Sequence, residues 1–315
     1  MRRAVRGLLA LLLIGLLALL FWPEAKAGPT GDWLKAAGLE PRFETLSGLR
    51  VRYVRAGDGP VVVLLHGFAS SIFTWKDVLP GLARSRTVVA LDLPGFGESE
   101  QPRDLDVGIY PGIVLGLMDR LGIARATLAG NSMGGALATV LAARSPERVQ
   151  ALVLIDTAGF ALADSERPLL LRLVATRAGK ALFERLPVRG RVLRLGLRQV
   201  FHDPALLTEE RFNEYLAPLL RPGAPASLVS LLTSRAATLG MAASLAPTVK
   251  APTLVLWGRD DRWIPVAQAD RVVAAIPGAR KVVLEACGHV PQEERPEEVL
   301  RWLEDFPEGG AAAIE

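Results

Sequence analysis

Gly130-Asn131-Ser132-Met133-Gly134 carries the clearest chemical content of this 315-residue chain. An apolar run at 126–129 precedes it and a helix-like run at 136–144 follows. A strand that ends in Gly-x-Ser-x-Gly and turns at once into a helix is the setting of a nucleophile elbow, which presents a serine hydroxyl beyond the end of a sheet. The elbow forces its serine into a strained backbone conformation, and side chains at the flanking glycines would collide across the turn. A hydroxyl is a poor nucleophile until an imidazole accepts its proton. The imidazole in turn needs a carboxylate to fix its tautomer and stabilise its charged form.

Two downstream loops hold such groups. An apolar strand at 252–257 runs into Gly258-Arg259-Asp260-Asp261-Arg262-Trp263-Ile264-Pro265, and a second at 281–285 runs into Ala286-Cys287-Gly288-His289. Both place ionisable residues just past a strand, where parallel α/β sheets build their sites. The chain has three histidines. His66 ends the strand at 61–65 and belongs to a different loop, and His202, between Phe201 and Asp203, reads as a surface or capping residue. His289 is left as the base. Adjacent residues leaving a strand point in different directions. One of Asp260 and Asp261 therefore faces His289, and the other is a turn residue that caps the loop or pairs with Arg259 or Arg262.

From about residue 43 to 306 the chain resembles the α/β-hydrolases of the broad family that includes meta-cleavage-product hydrolases, esterases and monoacylglycerol lipases. The matching motifs are His66-Gly67-Phe68, Asp92-Leu93-Pro94-Gly95-Phe96-Gly97-Glu98-Ser99, Gly130-Asn131-Ser132-Met133-Gly134-Gly135, Trp257-Gly258-Arg259-Asp260-Asp261-Arg262 and Cys287-Gly288-His289. The resemblance implies a cofactor-free triad of Ser132, Asp261 and His289. Asp261 is preferred because the family's acid sits four residues before the proline of that loop, here Pro265. It also implies an oxyanion hole made by the backbone N–H groups of Phe68 and Met133. Such donors offset the charge that builds on a carbonyl oxygen under attack.

The resemblance also excludes relatives. Haloalkane dehalogenases and epoxide hydrolases attack with an aspartate, where this chain has Ser132. Meta-cleavage-product hydrolases share Asn131-Ser132-Met133 and Cys287-Gly288-His289. They usually have a tryptophan straight after the histidine and a glycine-rich run after the first His-Gly, where this chain has Val290 and Phe68-Ala69-Ser70. The expected activity is hydrolysis of carboxylic esters with hydrophobic acyl groups, through an acyl-enzyme on Ser132. Two alternatives stay open: C–C bond hydrolysis on the same triad, and a non-hydrolytic accessory or binding role.

The elements that must position these residues follow from pattern. A hairpin at 43–46 and 49–55, turned by Ser47-Gly48, precedes strands at 61–65, 88–91, 126–129, 151–155, 253–257 and 281–284. Helices are predicted at 73–83, 113–121, 133–144, 266–275 and 297–306. Short apolar strands alternating with helices read as a mostly parallel α/β-hydrolase sheet covered on both faces. The core is expected at 43–158 and 247–307, and the length allows one large domain with an insertion. Between 159 and 246 the alternation stops. Leu169, Leu170, Leu173 and Val174, then Leu193, Leu197 and Val200, recur at helical spacing, with breaks at Pro187, Pro204, Pro218, Pro222 and Pro225. This stretch reads as a helical cap inserted after strand 6, its leucines mostly packing, over an enclosed apolar pocket that suits a small hydrophobic ester. The loop 92–99 reads as structural, Glu98 included, and Trp75 as packing.

The N-terminus has a separate role. Arg2, Arg3 and Arg6 precede an uncharged run at 7–22, which Pro23 ends. Sixteen residues of helix span about 24 Å, short for a bilayer core of ~30 Å and long for a signal-peptide apolar region. Ala25-Lys26-Ala27 offers a cleavage site. Residues 1–27 are therefore a cleaved signal peptide or an uncleaved membrane anchor acting through residues 7–22, followed by a linker at 28–42. Both readings put the catalytic domain in the cell envelope or outside the cell. Residues 308–315 read as a flexible tail. The net charge of +4 would fall to +1 without residues 1–27, which hold four basic groups and one acidic. The basic balance is therefore no argument for nucleic acid as a partner. Arg189, Arg191, Arg194 and Arg198 read as a solvated face, with anionic lipid headgroups as the other reading. A single cysteine, Cys287, excludes an intramolecular disulfide and a cysteine metal cluster.

Overall fold

A computed structural model describes residues 32–160, 189–238 and 240–306, with the single residues 27, 30 and 176. The leader at 1–26, the expected cap residues Leu169 to Val174 and Pro187, and the tail at 308–315 lie outside the described residues.

Eight strands form one sheet: β1 (Arg42–Leu46), β2 (Leu49–Ala56), β3 (Val61–Leu65), β4 (Thr87–Leu91), β5 (Ala126–Asn131), β6 (Val149–Ile155), β7 (Thr253–Gly258) and β8 (Arg280–Leu284). Their order is β1-β2-β4-β3-β5-β6-β7-β8. β2 pairs antiparallel with β1 and β4, and every other pairing is parallel. The order reverses at β3, whose neighbours are β4 on one side and β5 on the other. In open α/β sheets the crevice beyond the strand ends at such a switch point is where ligands bind. His66 and Ser132 leave β3 and β5 on either side of it.

The central strands are buried on both faces because helices cover both. Val63 and Leu65 of β3 enter one apolar cluster, while Val62 and Leu64 enter the other, as the two-residue period of a strand requires. The helices are α1 (Trp33–Ala36), α2 (Leu79–Leu82), α3 (Tyr110–Arg120), α4 (Met133–Arg144), α5 (Arg189–Val200), α6 (Glu209–Leu219), α7 (Ala224–Thr238), α8 (Met241–Leu245), α9 (Ala267–Ala275), α10 (Pro291–Glu294) and α11 (Pro296–Asp305). α4 is apolar all round and buried from Met133 to Ala142, as a helix enclosed on every side must be.

Two expectations are corrected. The helix expected at 73–83 is broken into a 3₁₀ turn, Ile72–Trp75, and the short α2. Pro80 and Gly81 interrupt the stretch and lower its helix propensity. The linker at 28–42 is partly a docked element, since α1 and the residues after it bury Leu34 and Leu39 in the core. The turn Pro291–Glu294, α10, was not anticipated. Trp75 is fully buried packing, as expected.

The described helices between β6 and β7 bear on the strand-4 loop. Gln101 Nε2 donates to the Pro218 carbonyl at 3.3 Å, Arg221 Nη1 to the Gly97 carbonyl at 2.8 Å, and the Leu105 N–H to Ser230 Oγ at 3.0 Å. Leu197 and Val200 of α5 pack with Phe201, Phe212 and Leu216. Arg194 forks onto Glu209 at 2.7 Å. Among the described residues no helix is long and apolar enough to cross a membrane.

One buried network joins these helices to the core. Glu293 Oε1 accepts from Thr74 Oγ1 at 2.7 Å and from the Tyr215 hydroxyl of α6, and Arg211 Nε of α6 lies 3.2 Å from Oε2. Burial raises the Glu293 carboxyl to about 7, against the pull of Arg211. A carboxyl raised on folding contributes stability that is full below its ordinary pKa of 4.5 and is lost as pH rises through about 7. Relative to Glu293→Gln, the native protein should therefore lose roughly 3 kcal/mol between pH 4.5 and 8. Paired denaturant titrations across that range check it, and parallel curves for the two proteins would refute it.

Candidate active site

Ser132 occupies the sharp turn between β5 and α4 with φ 52° and ψ −113°. The surrounding backbone holds this strained conformation. The Ser132 N–H donates to the Ile155 carbonyl at 2.9 Å, and its own carbonyl accepts from Gly135, Ala136 and Ala158. The glycines are steric necessities. A Cβ on Gly130 would stand 2.3 Å from the Gly134 backbone, and one on Gly134 would stand 2.1 Å from the Leu65 carbonyl oxygen. Neither obstacle is a movable side chain. Gly134→Ala should accordingly destabilise the fold by at least ~1–3 kcal/mol. Gly112→Ala in α3, where nothing lies within 4 Å, should be neutral or stabilising by ~0.4–1 kcal/mol. Thermal or denaturant midpoints of the two variants test the contrast.

The three distant loops converge. Asp261 is 6 % exposed, and its Oδ2 lies 2.7 Å from His289 Nδ1. Its Oδ1 accepts from the N–H groups of Trp263 at 2.7 Å and Ile264 at 2.9 Å. Asp260, next to it, turns the other way and meets His202 Nδ1 at 2.8 Å. The ion pair it makes is with His202, beside the charge of Arg259. Arg259 forks onto Glu285 instead. His202 is exposed, as expected, and its pairing with Asp260 is a contact between the segment after α5 and the strand-7 loop.

His289 is held from several sides. Its N–H donates to the Val200 carbonyl at 2.7 Å, and its carbonyl accepts from Asn131 Nδ2 at 3.0 Å. The neighbour of Ser132 is thereby tied to the histidine loop. The Trp263 ring stacks on the imidazole at 6.0 Å and 24°. Since Nδ1 is engaged by Asp261, Nε2 is the nitrogen left for a nucleophile. Among the described residues the Ser132 hydroxyl makes no hydrogen bond. Nucleophile–base bonds are commonly long without substrate and tighten in the complex. Glu294 Oε1 accepts from the Gly288 N–H, and its Oε2 from the His202 N–H, both at 2.7 Å. Cys287 is fully buried, and burial pushes its thiol far above the ordinary range.

The loop after β3 lies against the elbow. A Cβ on Gly67 would be 3.3 Å from Ser132 Cβ, which sets Phe68 beside the nucleophile. Its ring meets Phe96 edge-on at 5.5 Å. His66 pins this loop to its neighbour. The Leu93 N–H donates to His66 Nε2 at 3.0 Å, so Nδ1 carries the proton and donates to the Gly67 carbonyl at 2.7 Å. Burial lowers the His66 pKa and favours that neutral ring. Met133 is the first residue of α4, where backbone N–H groups lack intrahelical partners. In the strand-4 loop, Asp92 accepts from the Ile72 and Glu98 N–H groups. The Glu98 carboxylate pairs with Arg52 at 3.1 Å, a structural role.

A cleft of about 480 Å³, lined by His202, Asp203, Pro204, Leu206, Ala286, Glu294 and Arg295, lies behind the histidine loop. Of the cap expected at 159–246, residues 161–188 apart from residue 176 lie outside the described residues. Four residues of the site escaped the sequence reading. Asn131 stood in the elbow motif, Trp263 in the acid loop and Glu294 shortly after His289. Asp156 follows β6 as the other acids follow their strands.

A family model described as alpha/beta hydrolase fold matches residues 60–296. The 2-hydroxy-6-oxo-6-phenylhexa-2,4-dienoate hydrolase of Comamonas testosteroni is 33% identical over 280 residues, 83% of this chain and 92% of the relative. Among solved structures, a membrane phospholipase A described as a bacterial virulence factor superposes with a TM-score of 0.72 at 29% identity. That alignment covers 98% of this chain and 99% of the other. The meta-cleavage product hydrolase of Pseudomonas fluorescens IP01 aligns with a TM-score of 0.72 at 26% identity, over 84% of this chain and 96% of the other.

Proposed function

Because the chain belongs to the α/β-hydrolase fold family, we propose that it is a serine hydrolase that cleaves carboxylic esters with hydrophobic acyl groups. Ser132 is the nucleophile, His289 the general base and then acid, and Asp261 the carboxylate that orients it. The observation that carries this reading is the 2.7 Å Asp261–His289 contact, on loops tied through Asn131 to a strained Ser132. Ser132 attacks the ester carbonyl and passes its proton to Nε2. The backbone N–H groups of Phe68 and Met133 receive the developing oxyanion. His289 returns the proton to the leaving alcohol, and water activated by the same ring frees the acid.

The likeness to a membrane phospholipase A over nearly the whole chain supports ester chemistry at a lipid surface. It also supports a place in the cell envelope for the catalytic domain, through residues 7–22 as anchor or after cleavage near Ala27. The mass of the N-terminal peptide from membrane and soluble fractions separates those two outcomes. The second reading, C–C bond hydrolysis, is favoured by the 33% identical dienoate hydrolase. Against it stands Val290 after the histidine, which is buried in the apolar cluster of Phe201, Phe212 and Leu216.

A panel of p-nitrophenyl esters from acetyl to palmitoyl, monoacylglycerols and a vinylogous diketoacid tests both. Turnover confined to the esters is expected, and turnover of the diketoacid alone would replace the first reading by the second. Failure of a fluorophosphonate probe to label the intact protein would support the non-hydrolytic alternative instead.

A further inference from the structure

Asp156, the residue after β6, has no part in the reaction as described, yet it is fully buried beside the reacting groups. Its backbone is left-handed, φ 44°, a strain that persists in a non-glycine residue only where the surroundings over-determine it. Those surroundings are the elbow and the acid loop. The Ile155 carbonyl accepts from the Ser132 N–H, and the Asp156 N–H donates to Leu256 of β7 at 3.0 Å. Asp156 Oδ1 accepts from the Gly258 N–H at 3.0 Å, while Oδ2 meets no N–H or O–H donor. What the side chain faces is the carboxyl of Asp261. One polar atom from each of Asp156, Asp261 and His289 lies within 4.8 Å of the others.

Two buried carboxyls this close repel each other as a pair of anions, and one of them takes up a proton. The donor count decides which. Asp261 accepts three N–H groups, from Trp263, Ile264 and His289, and serves all three as an acceptor. Asp156 accepts one, in a site without solvent. Burial raises its carboxyl well above the usual range, the Asp261 charge adds to this, and Glu294 pushes the same way, with only the Gly258 N–H opposing. Asp156 is therefore the acid and Asp261 the anion.

We propose that Asp156 is a positioning residue whose protonated carboxyl donates to Asp261 and holds that carboxylate in line with His289 Nδ1. A carboxylate held in line with Nδ1 stabilises the imidazolium as the ring takes up the proton from Ser132. No atom changes hands through Asp156. Its contribution to rate rests on the serine-hydrolase reading, whereas its geometry and protonation do not.

Asp156→Asn keeps a donor for Asp261 and an acceptor for Gly258 in a group that cannot ionise, and Asp156→Ala removes both. In the full-length protein, the saturating rate and half-saturating concentration of fluorophosphonate labelling are measured against pH. The asparagine variant should stay within about threefold of wild type. The alanine variant should lose ~10–100-fold in saturating rate, as when an outer hydrogen-bond partner of a catalytic ligand is removed. Its half-saturating concentration should stay unchanged and its acid limb should shift. Equal losses in both variants, or none in the alanine variant, would overturn the proposal. Carbon-13 carboxyl resonances of wild type, assigned through Asp156→Asn, decide independently of activity. Asp156 should remain protonated at pH 7, and titration in the ordinary carboxylate range would overturn the proposal. If wild-type Ser132 does not label, the serine-hydrolase reading falls, while this titration still decides on Asp156.

Discussion

Replacing Ser132 by alanine is expected to lower kcat on esters by up to ~10⁶ and to abolish fluorophosphonate labelling. The substitution removes one oxygen from a turn held by main-chain bonds. The Ser132 N–H bonds to Ile155, its carbonyl is bonded by Gly135, Ala136 and Ala158, and the close approach of Gly134 to Leu65 persists. The fold should survive, and the loss should fall on kcat rather than KM, because substrate contacts are untouched. Relief of the strained φ of 52° requires movement that the same bonds oppose. Steady-state kinetics with a chromogenic ester, beside circular dichroism of both proteins, make the comparison. A residual rate above a tenth of wild type would defeat the assignment.

The second large effect separates two adjacent acids. Asp261→Asn should cost ~10⁴ in kcat, because an amide facing Nδ1 favours the wrong imidazole tautomer and cannot stabilise the imidazolium. Asp260→Asn should stay within a few-fold, since its carboxylate pairs with the exposed His202, and exposed pairs contribute little. The backbone around Asp261 complicates only the size of the loss, because its Oδ1 also accepts from Trp263 and Ile264. The ratio of the two effects is the measurement. Equal kcat values for the two variants would mean that neither acid orients His289.

Much of the scaffold was legible before any coordinates. β3 was read at its observed bounds, and α4 likewise, because an unbroken apolar run between turn residues leaves little choice of period. The helix expected at 73–83 failed where Pro80 and Gly81 interrupt it and packing sets the chain path. The residues around α1 passed for linker because their two buried leucines, Leu34 and Leu39, are too few to show a period.

The candidate site divides in the same way. Residue types and chain order determined a serine at an elbow, one eligible histidine and a pair of neighbouring acids, since strand-end loops and proton-transfer chemistry restrict what can serve. Only the folded chain decided which acid turns inward, that Asn131 ties the elbow to the His289 loop, and that Asp156 lies against Asp261. Those contacts join residues up to 158 positions apart, and their geometry follows from the register and twist of parallel strands. A linear pattern records the period of each strand but not which neighbours its loops will meet.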